Sequence, residues 1–132
     1  MSRASERGAT AVEFAMLAPV LIMILMGIME FGRAYNAQIS LTNAAREAVR
    51  VMTISTNQAT AQDTARDAAI DAAVSLTPAL TDADIAFNAT NGTGNCTTDA
   101  QMTVTVTYSL STLTGIAGPF AMTGIGVMQC GG

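Results

Sequence analysis

Apolar residues fall into three differently patterned stretches of this 132-residue chain, and each pattern predicts its own element. From Ala9 to Met29 the run is almost wholly apolar, and Glu13 is its only ionisable side chain. As a helix rising ~1.5 Å per residue the run is about 31 Å long, the hydrocarbon thickness of a bilayer, which predicts a membrane span. Beyond it Leu41, Ala44, Ala45, Ala48, Val49 and Met52 recur at helical spacing. The spanning helix is therefore expected to continue to about Met52 with one narrow, alanine-rich stripe. Pro19 sits inside the run and deletes a backbone donor, so either a kink or melted turn, or a proline tolerated in the membrane, is expected there.

Ser55, Thr56, Asn57 and Thr60 then break the stripe and offer helix caps. Thr60-Ala61-Gln62-Asp63 has capping-box spacing, predicting a second helix from Thr60 to about Leu76, ahead of Pro78. Its expected apolar face is Ala65, Ala68, Ala69, Ala72, Ala73 and Leu76, while Asp63, Asp67 and Asp71 form a separate row. Carboxylates along a straight helix cannot wrap a cation with six or more oxygens, so this row reads as a solvated face and no metal site is expected. The third pattern has period two. Met102 to Tyr108 alternates threonine with Met102, Val104, Val106 and Tyr108 and predicts a strand, with a weaker one over Asp84 to Ala89. Asn91-Gly92-Thr93-Gly94-Asn95 supplies a loop, and the glycine-broken tail predicts a loop and a final strand around Phe120 to Gln129. The expected fold class is α+β: a long N-terminal transmembrane and amphipathic helix, a second short helix, and a small antiparallel sheet.

Charge sharpens this division. The chain has no His and no Trp, and only 12% of its residues are charged. From Phe31 onward four Arg face seven acidic residues, a net charge of −3, which argues against nucleic acid as a partner. Arg3 and Arg7 precede the span, so the positive-inside bias places the short end in the cytoplasm and the lobe outside it. Cys96 and Cys130 permit one disulfide, which would close a loop of about 33 residues and stabilise the lobe by roughly 3–4 kcal/mol; unpaired thiols are the alternative. The Asn-x-Thr triplets at Asn88, Asn91 and Asn95 read as chance in a threonine-rich loop.

A carboxylate in a span costs roughly 2.5–3.5 kcal/mol near the helix centre, so Glu13 either marks function or snorkels from its position near one end. Around it stands the order Arg3, Arg7, Gly8-Ala9-Thr10-Ala11-Val12-Glu13-Phe14, followed by Glu30-Phe31-Gly32-Arg33-Ala34-Tyr35 and Leu41-Thr42-Asn43-Ala44-Ala45-Arg46-Glu47-Ala48-Val49-Arg50. The first block resembles a prepilin-type signal sequence. All three together resemble the TadE-type pseudopilins of tight-adherence (Flp, type IVb-like) pilus systems, over roughly the first 52 residues. Ala48 departs from the glycine common at that position. The sister TadF family shares the leader pattern.

That resemblance implies cleavage by a prepilin peptidase between Gly8 and Ala9, with Glu13 and the adjoining Phe14 serving assembly. Glu13 would neutralise the α-amino group of a neighbouring subunit's Ala9. It also implies a leader over 1–8, a helix over 9–52 and an extracytoplasmic lobe over 53–132, single-pass in the bacterial inner membrane. The partners would be the peptidase, other tight-adherence pilins and pseudopilins, and the inner-membrane assembly platform. No cofactor is expected, and without His, a phosphate-binding loop, a nucleophile elbow or a ligand cluster, no enzyme. The alternative is an anchored extracytoplasmic binding lobe that never enters a filament. A major filament subunit is disfavoured, because the major subunits of the family the chain resembles carry little beyond the helix.

Overall fold

The computed structural model describes residues 3–55, 57–115 and 118–131. Two helices, α1 (Arg3–Ile54) and α2 (Gln58–Ala72), precede a short 3-10 turn, Asp82–Asp84, and three strands. The strands are β1 (Ile85–Ala89), β2 (Gln101–Leu110) and β3 (Phe120–Gln129). The chain divides into two compact units, Met1–Arg33 and Ala34–Gly132. The fold is α+β, with a long apolar N-terminal helix, a second helix and a three-stranded antiparallel sheet.

In the first unit, the residues from Gly8 to Met29 are exposed on every side of the helix apart from a half-buried Ala18. An apolar helix without a polar face suits lipid and not water. Helix α1 passes through Pro19 without interruption, so no turn is melted there. Met1 and Ser2 of the expected leader lie outside the described residues.

In the second unit the sheet has the order β1-β2-β3, antiparallel throughout. Residues paired across antiparallel strands share a face, so the register defines rows. Ile85, Val106 and Gly124 make one row on the inner face; Phe87, Val104 and Gly126 make the next; Ala89, Met102 and Met128 make the third. The opposite face carries Thr103 and Thr105 of β2, half-buried, and Thr107 and Ser109, exposed.

Two of these inner rows fall from valine on β2 to glycine on β3, and α1 fills that gap. A Cβ on Gly124 would fall inside the Leu41 carbonyl, and one on Gly126 inside the Ala45 carbonyl. Only glycine permits this backbone approach. Leu41, Ala44, Ala45, Ala48, Val49 and Met52 are accordingly buried, as the periodicity predicts.

Helix α2 packs on the same inner face. Its Arg66 guanidinium stands 5.1 Å from the centroid of the Phe87 ring, and Ser75 Oγ meets Ser40 Oγ of α1 at 2.8 Å. Small residues again set the spacing, with Ala61, Ala65, Ala69 and Ala73 all buried.

Several boundaries differ from the sequence-based expectation. Helix α1 ends at Ile54, two residues later than expected, where Ser55 Oγ donates to the Val51 carbonyl at 2.6 Å. Helix α2 starts at Gln58 and not at Thr60, because Asn57 is the cap, its side chain accepting from the Ala59 N–H at 3.1 Å. Asparagine caps better than threonine. The capping box falls instead on Thr81 and Asp84, and Thr56, another cap candidate, lies outside the described residues. Helix α2 also stops at Ala72, short of Leu76, so Ala72 is exposed and Ala68 half-buried, whereas Ala61, absent from the expected face, is buried. Strand β1 begins at Ile85 once Asp84 is taken by the turn, and β2 gains a residue before Met102 and two after Tyr108. The final strand is Phe120–Gln129, as expected.

Cys96 and Cys130 form a disulfide with their Cα atoms 5.4 Å apart, tying the loop ahead of β2 to the residue after β3. The Cys130 N–H also donates to the Ala100 carbonyl at 2.7 Å, extending the β2–β3 ladder to that bond. The 91–97 loop is fastened to α2. Gln62 Nε2 donates to the Gly94 carbonyl at 3.0 Å, and Gln58 Oε1 accepts from the Cys96 N–H at 3.1 Å. Within the loop, Asn91 Nδ2 donates to the Asn95 carbonyl and to Thr97 Oγ1.

Two stability predictions follow from this packing. Gly126→Val in the full chain should lower unfolding free energy by about 3 kcal/mol in urea titrations, because the new side chain meets helix backbone that cannot give way. Valine normally favours a strand, so a neutral or stabilising result would disprove the close approach. Replacing both cysteines by serine should cost about 4 kcal/mol, given their sequence separation of 34 and the chain-entropy relation. Equal urea midpoints with and without reductant would contradict that.

Candidate functional site

Helix geometry organises the N-terminal candidate residues. Gly8 and Ala9 lie in α1, exposed, and no atom stands within 4 Å of where a Gly8 Cβ would be. The peptide bond joining them is therefore flanked by the smallest side chains and by open space. Glu13 and Phe14 are also exposed, Phe14 at 71%. Ala9 and Glu13 are four residues apart, hence on one helix face about one turn from each other. Pro19 offers no N–H to the Ala15 carbonyl one turn earlier.

The exposed run after Glu13 includes Leu17, Val20, Leu21, Ile24, Leu25 and Ile28. The helix is long and apolar enough to cross a membrane, with a mean hydropathy of 2.3 over its best window and none of that window buried. Glu30 and Arg33 close the apolar run.

The second unit carries the charged rows. Arg46 and Arg50 project from α1 on a groove also lined by Asn43, Glu47, Ala72, Val127 and Met128. Arg50 lies 3.9 Å from Glu47, with both side chains largely in solvent, a pair worth little in water. Arg66 meets Asp63 at 3.4 Å, its guanidinium stacked on Phe87. Asp67 and Asp71 are exposed on the side of α2 facing away from the core. Among the described residues, no group of three or more His, Cys, Asp or Glu is arranged to hold a metal ion.

The candidates thus fall into separate groups: Gly8, Ala9, Glu13 and Phe14 along one helix, and Cys96 with Cys130 in the lobe. Sequence reading missed three positions. Gly124 and Gly126 look like strand interruptions, yet they are where the sheet receives α1; their signal is glycine at period two within an apolar strand. Ser40, buried on the alanine stripe, pairs with Ser75, and nothing in the spacing marks that partner.

Comparison with known proteins agrees with the three N-terminal blocks. Residues 8–50, about a third of the chain, match the family model described as TadE-like protein. No curated protein and no solved structure matches. The matched segment begins at Gly8, contains Glu13 and the entire apolar run, and ends at Arg50, so over these residues the chain is similar to the TadE-like family.

Proposed function

We propose that this protein is a minor pilin or pseudopilin that a prepilin peptidase cuts after Gly8, and that it acts in assembling tight-adherence (Flp) pili. The TadE-like match over residues 8–50 carries this reading, because it covers the candidate cleavage bond, the membrane carboxylate and the span together. The protein sits in the bacterial inner membrane as a single-pass subunit, with the lobe on the extracytoplasmic side. A disulfide within the lobe supports that side, since such bonds persist in oxidising compartments. The protein works as a structural subunit and as the substrate of the peptidase, not as an enzyme; the absence of His from the sequence supports this.

Cleavage changes the electrostatics of the span. Hydrolysis between Gly8 and Ala9 leaves an ammonium group on Ala9, one turn from Glu13 of the same chain. Opposite charges near hydrocarbon are tolerable together and costly apart. The processed subunit therefore carries a matched pair at the top of its apolar run, and exchange of partners between neighbouring subunits aligns their helices at one depth. The peptidase, companion pilins and pseudopilins, and the inner-membrane assembly platform are its partners.

Intact mass and N-terminal sequencing of membrane-extracted protein test this directly, with and without the pilus system's peptidase co-expressed. A start at Ala9 only in its presence is expected. A Met1 or Ser2 start in both cases would leave an anchored binding lobe outside any filament. Glu13→Ala should leave cleavage and the lobe's urea midpoint unchanged while co-purification with companion pilins falls at least tenfold. Glu13→Gln, which keeps the shape and removes the charge, should behave the same way if charge pairing is the cause.

A further inference from the structure

We infer that copies of this protein anchored side by side meet through their lobes, the Arg46 and Arg50 flank of α1 in one copy lying against the aspartate row on α2 of the next. The inference rests on the anchoring part of the reading above and not on leader cleavage.

Helix α1 has two flanks besides its buried stripe. Ser40 meets Ser75, just beyond the end of α2. About a quarter turn round, at 100° per residue, come Ile39, Arg46 and Arg50. Further round in the same sense α1 reaches β3: Gln38 Nε2 donates to the Thr123 carbonyl at 2.9 Å, and Thr53 Oγ1 reaches Met128 Sδ at 3.1 Å. Among the described residues strand β3 pairs only with β2, and none of its ten residues is charged. The outward side of α2, opposite Ala61, Ala65 and Ala69, carries Asp63, Asp67 and Asp71, and beyond the helix end stands Val74, 84% exposed.

The two rows agree in order and in height. Ser40 of α1 meets Ser75, just past the end of α2, and three residues join the end of α1 to the start of α2, so the helices run in opposite directions and Ser40 and Ser75 give a common level. At ~1.5 Å per residue, Arg46 stands about 9 Å beyond the level, between Asp71 at about 6 Å and Asp67 at about 12 Å. Arg50, at about 15 Å, falls between Asp67 and Asp63 at about 18 Å. Ile39 and Val74, both exposed, adjoin the two serines. An apolar, basic, basic order on α1 thus matches an apolar, acidic, acidic, acidic order along α2 and the residue beyond it.

A second copy suits this geometry better than another occupant. Copies anchored in one bilayer are identical, so the rows of one match those of the next in order and spacing. The two rows are different surfaces of one lobe, so the contact is head to tail, each copy using its Arg flank toward one neighbour and its Asp row toward the other. Exposed ion pairs are individually weak, so the contact needs the high local concentration that a shared bilayer supplies.

The test uses the full chain, labelled at its C-terminus with donor or acceptor fluorophore and reconstituted in vesicles of neutral lipid. Energy transfer should exceed that of a random two-dimensional distribution and fall toward it as salt is raised to about 0.5 M. Arg46→Glu/Arg50→Glu and Asp67→Arg/Asp71→Arg, each alone, should drop to the random level with unchanged urea midpoints. An equimolar mixture should recover to within about twofold of the original, because exchanged rows attract again. Wild-type transfer at the random level, transfer indifferent to salt and to both variants, or a mixture that stays low would each overturn the inference. None of these outcomes bears on where the leader is cut.

Discussion

Backbone contact between α1 and the last strand sets the geometry of the lobe. Gly124 and Gly126 bring β3 so near the Leu41 and Ala45 carbonyls that helix and sheet touch through main chain. The lobe has few large core side chains, and those that are fully buried, among them Leu41, Met52, Met102 and Val104, come from α1 and β2. With so little volume to pack, the layers must lie close, and alanine on both helices with glycine on β3 is how they do. A methyl group at either glycine would part the layers and open the core along its length.

The same economy of side chains explains why the two units look so different in sequence. In the first, large apolar residues surround the helix, a surface that suits lipid on all sides. In the second, a stripe of alanine on one face suffices, because strand and neighbouring helix supply the rest. Helix α1 belongs to both, and its composition changes along its length, from Leu, Ile and Met in the apolar run to Ala, Asn and Arg in the lobe.

Most elements were legible from periodicity. The stripe from Leu41 to Met52 and the alternation from Met102 to Tyr108 are strong because burial on one face repeats at a fixed interval, and both are found. Boundaries were less legible where polar residues compete. Asn57 and Thr60 both offer a cap, and only the path of the chain decides between them. The tail was read correctly as a strand but for too little reason: its glycines looked like breaks, whereas two of them are contact points whose partner lies some eighty residues earlier. Glycine at period two marks the contact, but nothing local names so distant a partner. The N-terminal candidates were legible because Gly8, Glu13 and the apolar run follow one another without interruption.

The strand that covers α1 lies far from it along the chain. Residues 120–129 supply the surface against which Leu41 and Ala45 pack, and Cys130 closes the covalent loop with Cys96. During synthesis the alanine stripe emerges before that strand and stays uncovered until residues 120–129 have followed. Helix α1 therefore cannot be packed step by step from its N-terminus; its inner face is complete only when β3 has joined the sheet. A chain without residues 120–129 leaves the alanine stripe bare on the side that the two glycines now cover.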